Sequence, residues 1–303
     1  MTATNKLYQR ITDRIVKALE AGTLPWRKGW SEGNSAAYGM PHNAVTGRAY
    51  RGINVWLLMM EAEEQGFTST GWVTPNKAKE LELDFKGAKT CEVVFWSKSK
   101  REVETDDGGT ETKTFMWAKS YRVMNLDQCR GDALAKLKGH KVLELPEEIA
   151  TGDALGEAVS AALEIEIKHG GDRACYSPSC DLIRMPPTNA FNSEVVYRAT
   201  LLHEATHATG HKSRCDRDLK GRFGTEAYAF EELIAELGSC YIQAALGIDM
   251  ELPNHASYIK SWLRVLKDDP KAIMSAASMS QKAVDYLLER LDITAAAEWA
   301  EAA

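Results

Sequence analysis

Apolar residues at helical spacing mark the beginning of the chain. Leu7, Ile11, Ile15 and Leu19 recur every four residues, which predicts one buried stripe of an amphipathic helix that ends at Gly22. The segment after this helix is rich in Gly, Pro, Asn and aromatic residues. Long irregular segments inside a folded domain are usually functional or mobile, so this one is a candidate for binding.

The rest of the first half alternates between helical and strand patterns. A largely apolar stretch predicts a buried helix over residues 52–66, and Pro75 is suited to begin a short helix. Residues 86–104 and 112–126 predict two strands, which the turn TDDGGTE joins into an antiparallel hairpin. The first half is therefore expected to be α+β.

The second half has a mainly helical pattern. A helix is predicted over residues 156–171, and a short pair of strands follows within residues 173–187. From Ser193 onward nearly every segment has helical periodicity, and Asn192 is an acceptable N-cap for the first of these helices. The whole chain is therefore expected to be α+β, with its antiparallel hairpin in the first half.

An acidic stretch that contains proline, HKVLELPEEIATGDAL, separates the two patterns. Such a shift in composition is typical of a connection between domains. We predict a first domain over residues 1–140, a linker over residues 141–152 and a second, mainly helical domain over residues 153–303.

Composition narrows the class of protein. A chain of 303 residues is long enough for two domains, no apolar run is long enough to span a bilayer, and the N-terminus lacks a signal-peptide layout. Six cysteines without a C-x-x-C pair are typical of reduced thiols, so we expect a cytoplasmic protein without a membrane partner.

The two halves of the chain differ in charge. Residues 1–150 carry 22 Lys and Arg against 20 Asp and Glu, whereas residues 151–303 carry 15 against 23. The first half is therefore the better candidate for binding a polyanion.

The most informative motif is HEATH, in which His203, Glu204 and His207 match H-E-x-x-H. Residues four apart share one face of a helix, so both imidazoles can bind a single Zn²⁺. A zinc ion with an open coordination position lowers the pKa of bound water, and Glu204 is then the candidate general base. We therefore predict a metal centre of the metallopeptidase type.

Two patterns can supply the third ligand. In one, a third histidine follows a glycine turn, but the required position is Ser213, and His211 falls short of that register. In the other, a glutamate comes from a later helix, and EAYAFEELIAELGSCYIQAAL presents Glu232 and Glu236 on one face. We favour Glu232 as the ligand and Glu236 as the acceptor of a histidine N–H, while Glu231 is expected to point about 100° away.

The donor set leaves the metal open, because two histidines and a glutamate suit Zn²⁺ and also Mn²⁺ or another divalent ion. The strand DLIRMPP precedes the motif, and an edge strand near such a centre can pair with a protein or peptide substrate. Four polar residues nearby are weaker candidates for holding a substrate or an oxyanion, and each, taken singly, is better explained as a solvated surface side chain. They are Tyr176, Arg198, Arg214 and Arg217.

The first half interleaves aromatic and basic residues, the combination that single-stranded nucleic acid requires. Unpaired bases stack on ring faces, and phosphates are bound by cations. Trp56 and Trp72 lie in apolar patterns and are expected in the core. The candidate DNA-binding residues are Trp26, Arg27, Lys28, Trp30, Tyr38, Arg48, Tyr50, Arg51 and Lys98.

Several segments resemble the ArdC-type antirestriction proteins of conjugative plasmids. LPWRKGW, PHNAVTGRAYRGINVWLL and VMNLDQC are similar to the N-terminal domain of that family, and N-x-x-T-G-x-x-Y-x-G-I-N, from Asn43 to Asn54, is the most specific element. SPSCDLIRMPPTNAFNSEVVYRATLLHEATHATGH and AYAFEELIAELGSCYI look like its C-terminal metallopeptidase-like domain.

The resemblance implies a single-stranded DNA-binding domain joined to a zincin-like domain, and a role in protecting incoming plasmid DNA from host restriction. The family's H-E-x-x-H falls on His203, Glu204 and His207, and its downstream acid falls on the helix that contains EELIAE. The family's glycine-rich basic turn reads KGAKT here, without one charge and one glycine, which weakens the case for a phosphate contact at this turn.

Three functions fit these features. The first is a DNA-protecting protein that binds single-stranded DNA with little sequence preference and carries a metal-dependent peptidase-like domain. The second is a protein that only shields DNA and whose metal is structural. The third is a regulatory peptidase that cleaves a repressor and binds no DNA.

Overall fold

The computed structural model describes residues 3–21, 39–104, 110–137, 139, 143, 146–219, 221, 225–248 and 256–293. The helices in these ranges are α1 (Ala3–Glu20), α2 (Ile53–Gln65), α3 (Pro75–Glu80), α4 (Gly152–Leu163), α5 (Glu194–Thr209), α6 (Glu226–Ala245), α7 (Ala256–Asp268) and α8 (Ala272–Arg290). The strands are β1 (His42–Asn43), β2 (Gly71–Val73), β3 (Cys91–Glu104), β4 (Thr110–Asn125), β5 (Glu166–His169), β6 (Cys175–Ser177) and β7 (Leu182–Met185). Within the described part of the chain, no helix combines the length and apolarity that a membrane span requires.

The first half contains a four-stranded sheet in the order β1-β2-β4-β3. β1 is parallel to β2, and the remaining pairs are antiparallel. The β3–β4 ladder keeps one register from the pair Cys91 and Val123 to the pair Glu104 and Thr110. The predicted hairpin is therefore confirmed, and the structure as a whole is α+β.

The predicted apolar stripe of α1 lies in the core, where Leu7, Ile11 and Ile15 are buried. Trp56 in α2 and Trp72 in β2 are also fully buried, as the apolar patterns around them predict. These residues belong to one hydrophobic cluster with residues of α5, α6, α7 and α8. The two halves of the chain therefore share a continuous core.

The segment Arg51–Gly52 joins the first half to α6 and α8. Arg51 Nη2 donates to Asp285 Oδ2 at 2.5 Å, and the Gly52 N–H donates to Gln281 Oε1 at 3.0 Å. The Tyr241 hydroxyl donates to the Gly52 carbonyl oxygen at 2.5 Å. Gly52 has φ 56° and ψ −134°, a conformation that side-chain-bearing L-residues rarely adopt. The glycine is required here by this conformation and not by lack of space, since a Cβ atom would come no nearer than 4.0 Å to the Ala277 carbonyl oxygen.

The second half contains a three-stranded sheet in the order β5-β7-β6. The helix predicted over residues 156–171 is wrong in its second part, because α4 ends at Leu163 and Glu164 adopts a left-handed conformation with φ 56°. Residues Glu166–His169 then form β5, which pairs in parallel with β7. Pairing with a neighbouring strand outweighs the local preference for helix.

The start of α5 is fixed by a side-chain cap. Ser193 Oγ accepts the Val196 N–H at 3.2 Å, so Ser193 is the N-cap and the prediction of Asn192 was wrong by one residue. Thr225 caps α6 in the same way by accepting the Tyr228 N–H at 3.3 Å. Both caps satisfy amide groups that the first turn of a helix leaves without a partner.

The helices α5 and α6 cross closely because a glycine lies at their contact. A Cβ atom on Gly238 would lie 2.5 Å from Thr206 Cγ2, well inside van der Waals contact. One residue further along α6, Ser239 Oγ donates to the Ala199 carbonyl oxygen of α5 at 3.1 Å. This close approach sets the distance between the side chains that the two helices present to each other.

Gly238→Ala tests this packing. We expect an overpacking loss of about 1–3 kcal/mol in the free energy of unfolding, because the added methyl group meets the side chain of Thr206. The measurement is urea denaturation followed by circular dichroism. Adding Thr206→Ser, which removes the clashing methyl group, should recover part of the loss.

The matched control for this substitution is Gly156→Ala in α4, where the nearest atom to the new Cβ is the Tyr197 hydroxyl oxygen at 3.4 Å. This control should be neutral or stabilising, by up to about 1 kcal/mol, because alanine is the better helix former. Equal stability of the Gly238→Ala variant and the wild-type protein would contradict the close-packing argument.

Candidate metal centre

Two histidines and a glutamate converge between α5 and α6. Glu232 Oε2 lies 3.6 Å from His203 Nε2, and Glu232 Oε1 lies 3.5 Å from His207 Nε2. One ligand atom from each of the three residues lies within 4.8 Å of the other two, and all three residues are buried. Two imidazoles and a carboxylate at this spacing form a donor set that suits a divalent cation.

His207 is supported from its other side by Glu231. The two residues approach through His207 Nδ1 and Glu231 Oε1, 3.2 Å apart. Arg217 donates to both carboxylate oxygens of Glu231, from Nε at 3.0 Å and from Nη2 at 2.7 Å. Arg217 Nη1 also donates to Thr209 Oγ1 at 2.8 Å. A carboxylate on the second imidazole nitrogen fixes the ring and its tautomer.

This role of Glu231 was not predicted from the sequence. The residue does point in a different direction from Glu232, but that direction leads to the second nitrogen of His207 and not to solvent. Only the return of the chain after α5, which brings Arg217 back to the helix, reveals the arrangement. The sequence signal for this role was the adjacent pair of acids at the start of EELIAE. Both Glu231 and Glu232 are buried, because α6 faces the imidazoles and the Arg217 guanidinium.

Glu236 lies next to the other imidazole. It is fully buried, and its Oε2 atom is 3.6 Å from His203 Nδ1, which is beyond normal hydrogen-bond length. His211, the alternative third ligand, lies outside the cluster, with its Nδ1 atom 2.8 Å from Ser213 Oγ and 3.6 Å from Asp181 Oδ2. The structure therefore brings Glu232, and not His211, to the two motif histidines.

The charges of the cluster are strongly coupled. Burial alone would lower the pKa of His207, but hydrogen bonds to Glu231 and Glu232 raise it to about 10. Burial alone would raise the pKa of Glu232, but hydrogen bonds from His203 and His207 hold it well below its usual range. Burial opposes ionisation of Glu231 as well, but His207 and Arg217 lower its pKa. Without a cation, His207 therefore carries a proton between two carboxylates.

Glu204 lies on the same turn of α5 and contacts the second sheet. Its Oε2 atom accepts the Tyr176 N–H at 2.7 Å. Tyr176 belongs to β6, which is an edge of the three-stranded sheet, whereas β7 is paired on both sides. The strand DLIRMPP, which forms β7, is thus central, and the expectation that it supplies an edge beside the site was wrong. The edge at the site is β6.

Two tyrosines add phenol groups to this region. Tyr228 lies one turn before Glu232 on α6 and makes a side-chain hydrogen bond to it. The hydroxyl oxygens of Tyr228 and Tyr258 are 3.3 Å apart. Burial, together with the hydrogen bond to Glu232, raises the pKa of Tyr228, so this phenol stays protonated. The spacing of four between Tyr228 and Glu232 was the sequence signal for this pair.

The two arginines after α5 are structural, contrary to the expectation of solvated side chains. The side chains of Arg214 and Arg217 are only 4% and 5% exposed. Arg214 pairs with Asp181, and its Nη2 atom donates to the Tyr176 hydroxyl at 3.3 Å. These contacts tie the segment after α5 to the β6–β7 turn. Arg198 pairs with Glu194 at 3.1 Å within α5.

The candidate DNA-binding residues have different surroundings. Arg48 is exposed, whereas Tyr50 is partly buried against the core, and the Arg51 side chain is 15% exposed in its ion pair with Asp285. Lys98 lies in β3, and the structure describes its backbone but not its side chain. The remaining candidates fall in residues 22–38, outside the described ranges: Trp26, Arg27, Lys28, Trp30 and Tyr38.

Cation binding should release a proton from His207. At neutral pH its imidazole is protonated in the cation-free protein, whereas a metal ligand must be neutral. We therefore expect affinity for Zn²⁺ or Mn²⁺ to rise about tenfold per pH unit below the His207 pKa, with about one proton released per ion. Isothermal titration in two buffers that differ in ionisation enthalpy measures this proton directly.

The companion variant for the proton measurement is Glu231→Gln. It removes one of the two carboxylates that raise the His207 pKa. The number of protons released per bound ion and the increase of metal affinity with pH should therefore both become smaller. Equal affinity at pH 6 and pH 8 in the wild-type protein would contradict the coupling.

Both halves of the chain match family models. Residues 5–124 match the N-terminal domain of anti-restriction factor ArdC, and residues 154–279 match a zincin-like metallopeptidase. The metal-free crystal structure of the antirestriction ArdC protein from R388 plasmid is 42% identical and has a TM-score of 0.75, and the match covers 94% of this chain and 97% of that chain. For the Mn(II)-bound structure the identity is 41% and the TM-score 0.72, with 94% and 98% covered.

Two further relatives cover nearly the whole chain. The uncharacterized protein y4eC of Sinorhizobium fredii is 38% identical over 287 residues, which are 93% of this chain and 91% of that protein. DNA primase TraC of Escherichia coli is 35% identical over 296 residues, which are 95% of this chain but 20% of TraC. The zincin-like match and the Mn(II)-bound relative indicate a divalent metal ion as the cofactor. From these matches and the arrangement of the site, we conclude that the chain belongs to the ArdC antirestriction family, with a zincin-like domain in its second half.

Proposed function

We propose that this protein protects incoming plasmid DNA from host restriction by binding single-stranded DNA, and that its second half is a metal-dependent peptidase-like domain. The observation that carries the peptidase part is the buried set of His203, His207 and Glu232 with Glu204 on the same helix turn. Membership of the ArdC family supports the antirestriction part. The proposed DNA-binding domain spans residues 1–140, the linker residues 141–152 and the peptidase-like domain residues 153–303.

We assign the metal to His203, His207 and Glu232, with Zn²⁺ or Mn²⁺ as the ion. A divalent ion with an open position supplies a Lewis acid that polarises a carbonyl group and makes bound water more acidic. Glu231 orients the His207 imidazole through its Nδ1 atom, 3.2 Å away, and the Glu236 carboxylate faces His203 Nδ1 at 3.6 Å. Arg217 in turn holds Glu231 by a bidentate contact.

Glu204 is the proposed general base. Its Oε2 atom is held by the Tyr176 N–H, which leaves Oε1 to take a proton from a water molecule and transfer it to a leaving amine. The N–H also orients the carboxylate towards the edge strand β6. A peptide that pairs with β6 by main-chain hydrogen bonds would extend along the same edge. A protein or peptide substrate therefore suits this arrangement.

Two other functions use the same features differently. A purely structural metal would make the protein a DNA shield without peptidase activity, and a repressor-cleaving peptidase would bind no DNA. The hydrogen-bonded Glu204 favours a catalytic centre over a structural one, because a structural zinc site has no need of a carboxylate that does not bind the metal. A peptidase that is bound to DNA also meets DNA-bound target proteins at high local concentration.

Glu204→Gln separates the catalytic function from the shielding function. The amide cannot act as a base, so we expect peptidase activity to fall by about 10²–10⁴-fold. Bound metal, measured by elemental analysis, and affinity for single-stranded DNA should stay unchanged. Peptidase activity is measured on a denatured protein substrate with the metal restored.

The readout that decides between these functions is protection of plasmid DNA in a restricting host. Loss of protection in the Glu204→Gln variant supports catalysis, whereas full protection would exclude a catalytic role. His203→Gln is the matched comparison, since it removes a metal ligand and should abolish metal binding as well as peptidase activity.

Arg48→Ala and Arg51→Ala test which of the two arginines contacts DNA and which stabilises the fold. Arg48 is exposed, so its loss should reduce the slope of log affinity against log salt concentration by about 0.7 for single-stranded DNA. Arg51 is ion-paired with Asp285, so its loss should lower the melting temperature and leave the slope unchanged. Fluorescence anisotropy with a labelled oligonucleotide over a salt series measures the slope. A wild-type protein without binding, or with a flat salt response, would contradict the DNA-binding function.

A further inference from the structure

Three aromatic rings are exposed side by side on the β3–β4 hairpin. The exposed fractions are 54% for Phe95, 42% for Trp117 and 43% for Tyr121. Among the residues that the structure describes, the only other exposed large apolar side chain is Met279, at 37%. Clustered exposed rings usually mark a contact surface, because exposure of so much apolar area is unfavourable in water. We call Phe95, Trp117, Lys119 and Tyr121 the exposed aromatic face.

The register of the hairpin brings these side chains to one side. Phe95 pairs with Lys119, and the neighbouring pairs on the same side are Ser97 with Trp117 and Val93 with Tyr121. Phe95 and Tyr121 make an edge-to-face contact with their centroids 6.2 Å apart. Same-side residues along a strand are about 7 Å apart. Trp117 and Tyr121 therefore lie about 14 Å apart along β4, and Phe95 lies between them on β3, so the three rings form a triangle across the two strands.

The other side of the hairpin already has a packing partner. Val94 is buried there, Trp96 and Ala118 pack against the hydrophobic core, and Trp96 Nε1 donates to the Tyr8 hydroxyl of α1 at 3.3 Å. A sheet with one buried side ordinarily carries polar residues on the other side. On the side of the rings, within residues 93–97 and 117–121, only Val93 is buried. Phe95, Trp117 and Tyr121 are exposed, so packing in the core does not explain the three rings.

The exposed aromatic face carries a positive charge, which suits binding of an anion. Lys119 Nζ lies 5.2 Å from the centroid of the Tyr121 ring, directly across the ladder from Phe95. The described residues on this side, from the pair Val93 and Tyr121 to the pair Ser97 and Trp117, include no carboxylate. Aromatic faces next to a cation, without acids among them, are the chemistry that stacks unpaired bases and binds the adjoining phosphate.

We propose that the exposed aromatic face is a binding site for single-stranded DNA, in which Phe95, Trp117 and Tyr121 stack unpaired bases and Lys119 contacts a phosphate. This inference rests on the proposed DNA-binding function and identifies where the strand binds. It adds Phe95, Trp117, Lys119 and Tyr121 to the candidate residues, on the hairpin whose strand β3 also holds the candidate Lys98. Paired bases cannot stack on side-chain rings in this way, so the site selects single strands over duplex.

The test compares two triple variants of the full chain. Phe95→Leu/Trp117→Leu/Tyr121→Leu keeps apolar volume but removes the rings, whereas Phe95→Tyr/Trp117→Phe/Tyr121→Phe keeps the rings. Because loss of each stacked base lowers affinity about 5- to 150-fold, the leucine variant should bind a labelled single strand at least about 100-fold more weakly. The ring-keeping variant should bind within about threefold of the wild-type protein, since every base keeps a π-face to stack on.

Lys119→Gln gives an independent measurement. It should reduce the salt slope for single-stranded DNA by about 0.7, the value for one phosphate contact, whereas the leucine variant should keep the wild-type slope. Unchanged metal content and melting temperature show that the fold is intact, which we expect because these side chains are exposed. An oligonucleotide that contains 5-iododeoxyuridine should photo-crosslink to peptides with residues 95, 117 or 121.

The outcomes distinguish the two proposals. If the wild-type protein binds single strands and the leucine variant binds equally well, or if all crosslinks lie elsewhere, the aromatic site is overturned and DNA binding by the protein stands. If the wild-type protein binds no single strand, both proposals fail. If the leucine variant changes only the sedimentation of the protein, from dimer to monomer, the face is a contact between two copies and the DNA site is overturned.

Discussion

Four buried glutamates on two neighbouring helices are the electrostatic constraint on which the second half of the structure depends. Glu204 on α5 and Glu231, Glu232 and Glu236 on α6 are all nearly inaccessible to solvent. Buried carboxylates are unfavourable unless cations and hydrogen bonds compensate them. Two imidazoles, the Arg217 guanidinium and the Tyr176 N–H supply part of that compensation. A divalent cation between the imidazoles would supply more. The same cation would then complete the metal centre and stabilise the packing of α5 against α6.

This constraint explains how much of the site the sequence revealed. Helix periodicity places His203 and His207 on one face, the acidic face of the following helix made Glu232 the favoured third ligand, and the structure brings the ligand atoms of all three within 4.8 Å. The support of His207 by Glu231 depends on where an irregular segment returns Arg217, and no local pattern encodes that return. Similarly, β7 looked like an edge strand because β5 was hidden in an apparent helix. The alternation of Ile165 and Ile167 with polar neighbours was the signal for a strand there.

The first half illustrates a different limit. The α1 stripe, the buried tryptophans and the hairpin were predicted because each depends on a short periodic pattern. Exposure of one side of the hairpin depends on which element covers the other side. In this protein α1 contributes to that cover through Tyr8 and Trp96. Alternation along β3 and β4 shows which residues share a side but not which side meets solvent, so neither Phe95 nor Trp117 was among the predicted DNA-binding residues.

The hydrogen bond from Tyr241 to the carbonyl of Gly52 makes each half of the chain depend on a residue of the other half. The phenol projects from the helix that carries Glu232, and its partner is a backbone oxygen whose direction requires a glycine. A fusion of the first half of one relative with the second half of another would have to keep both partners of this hydrogen bond. It would also have to keep the ion pair between Arg51 and Asp285. The two modules are therefore expected to be inherited as a unit, and chimaeras made at the linker to fold only when both parents carry the same pairs.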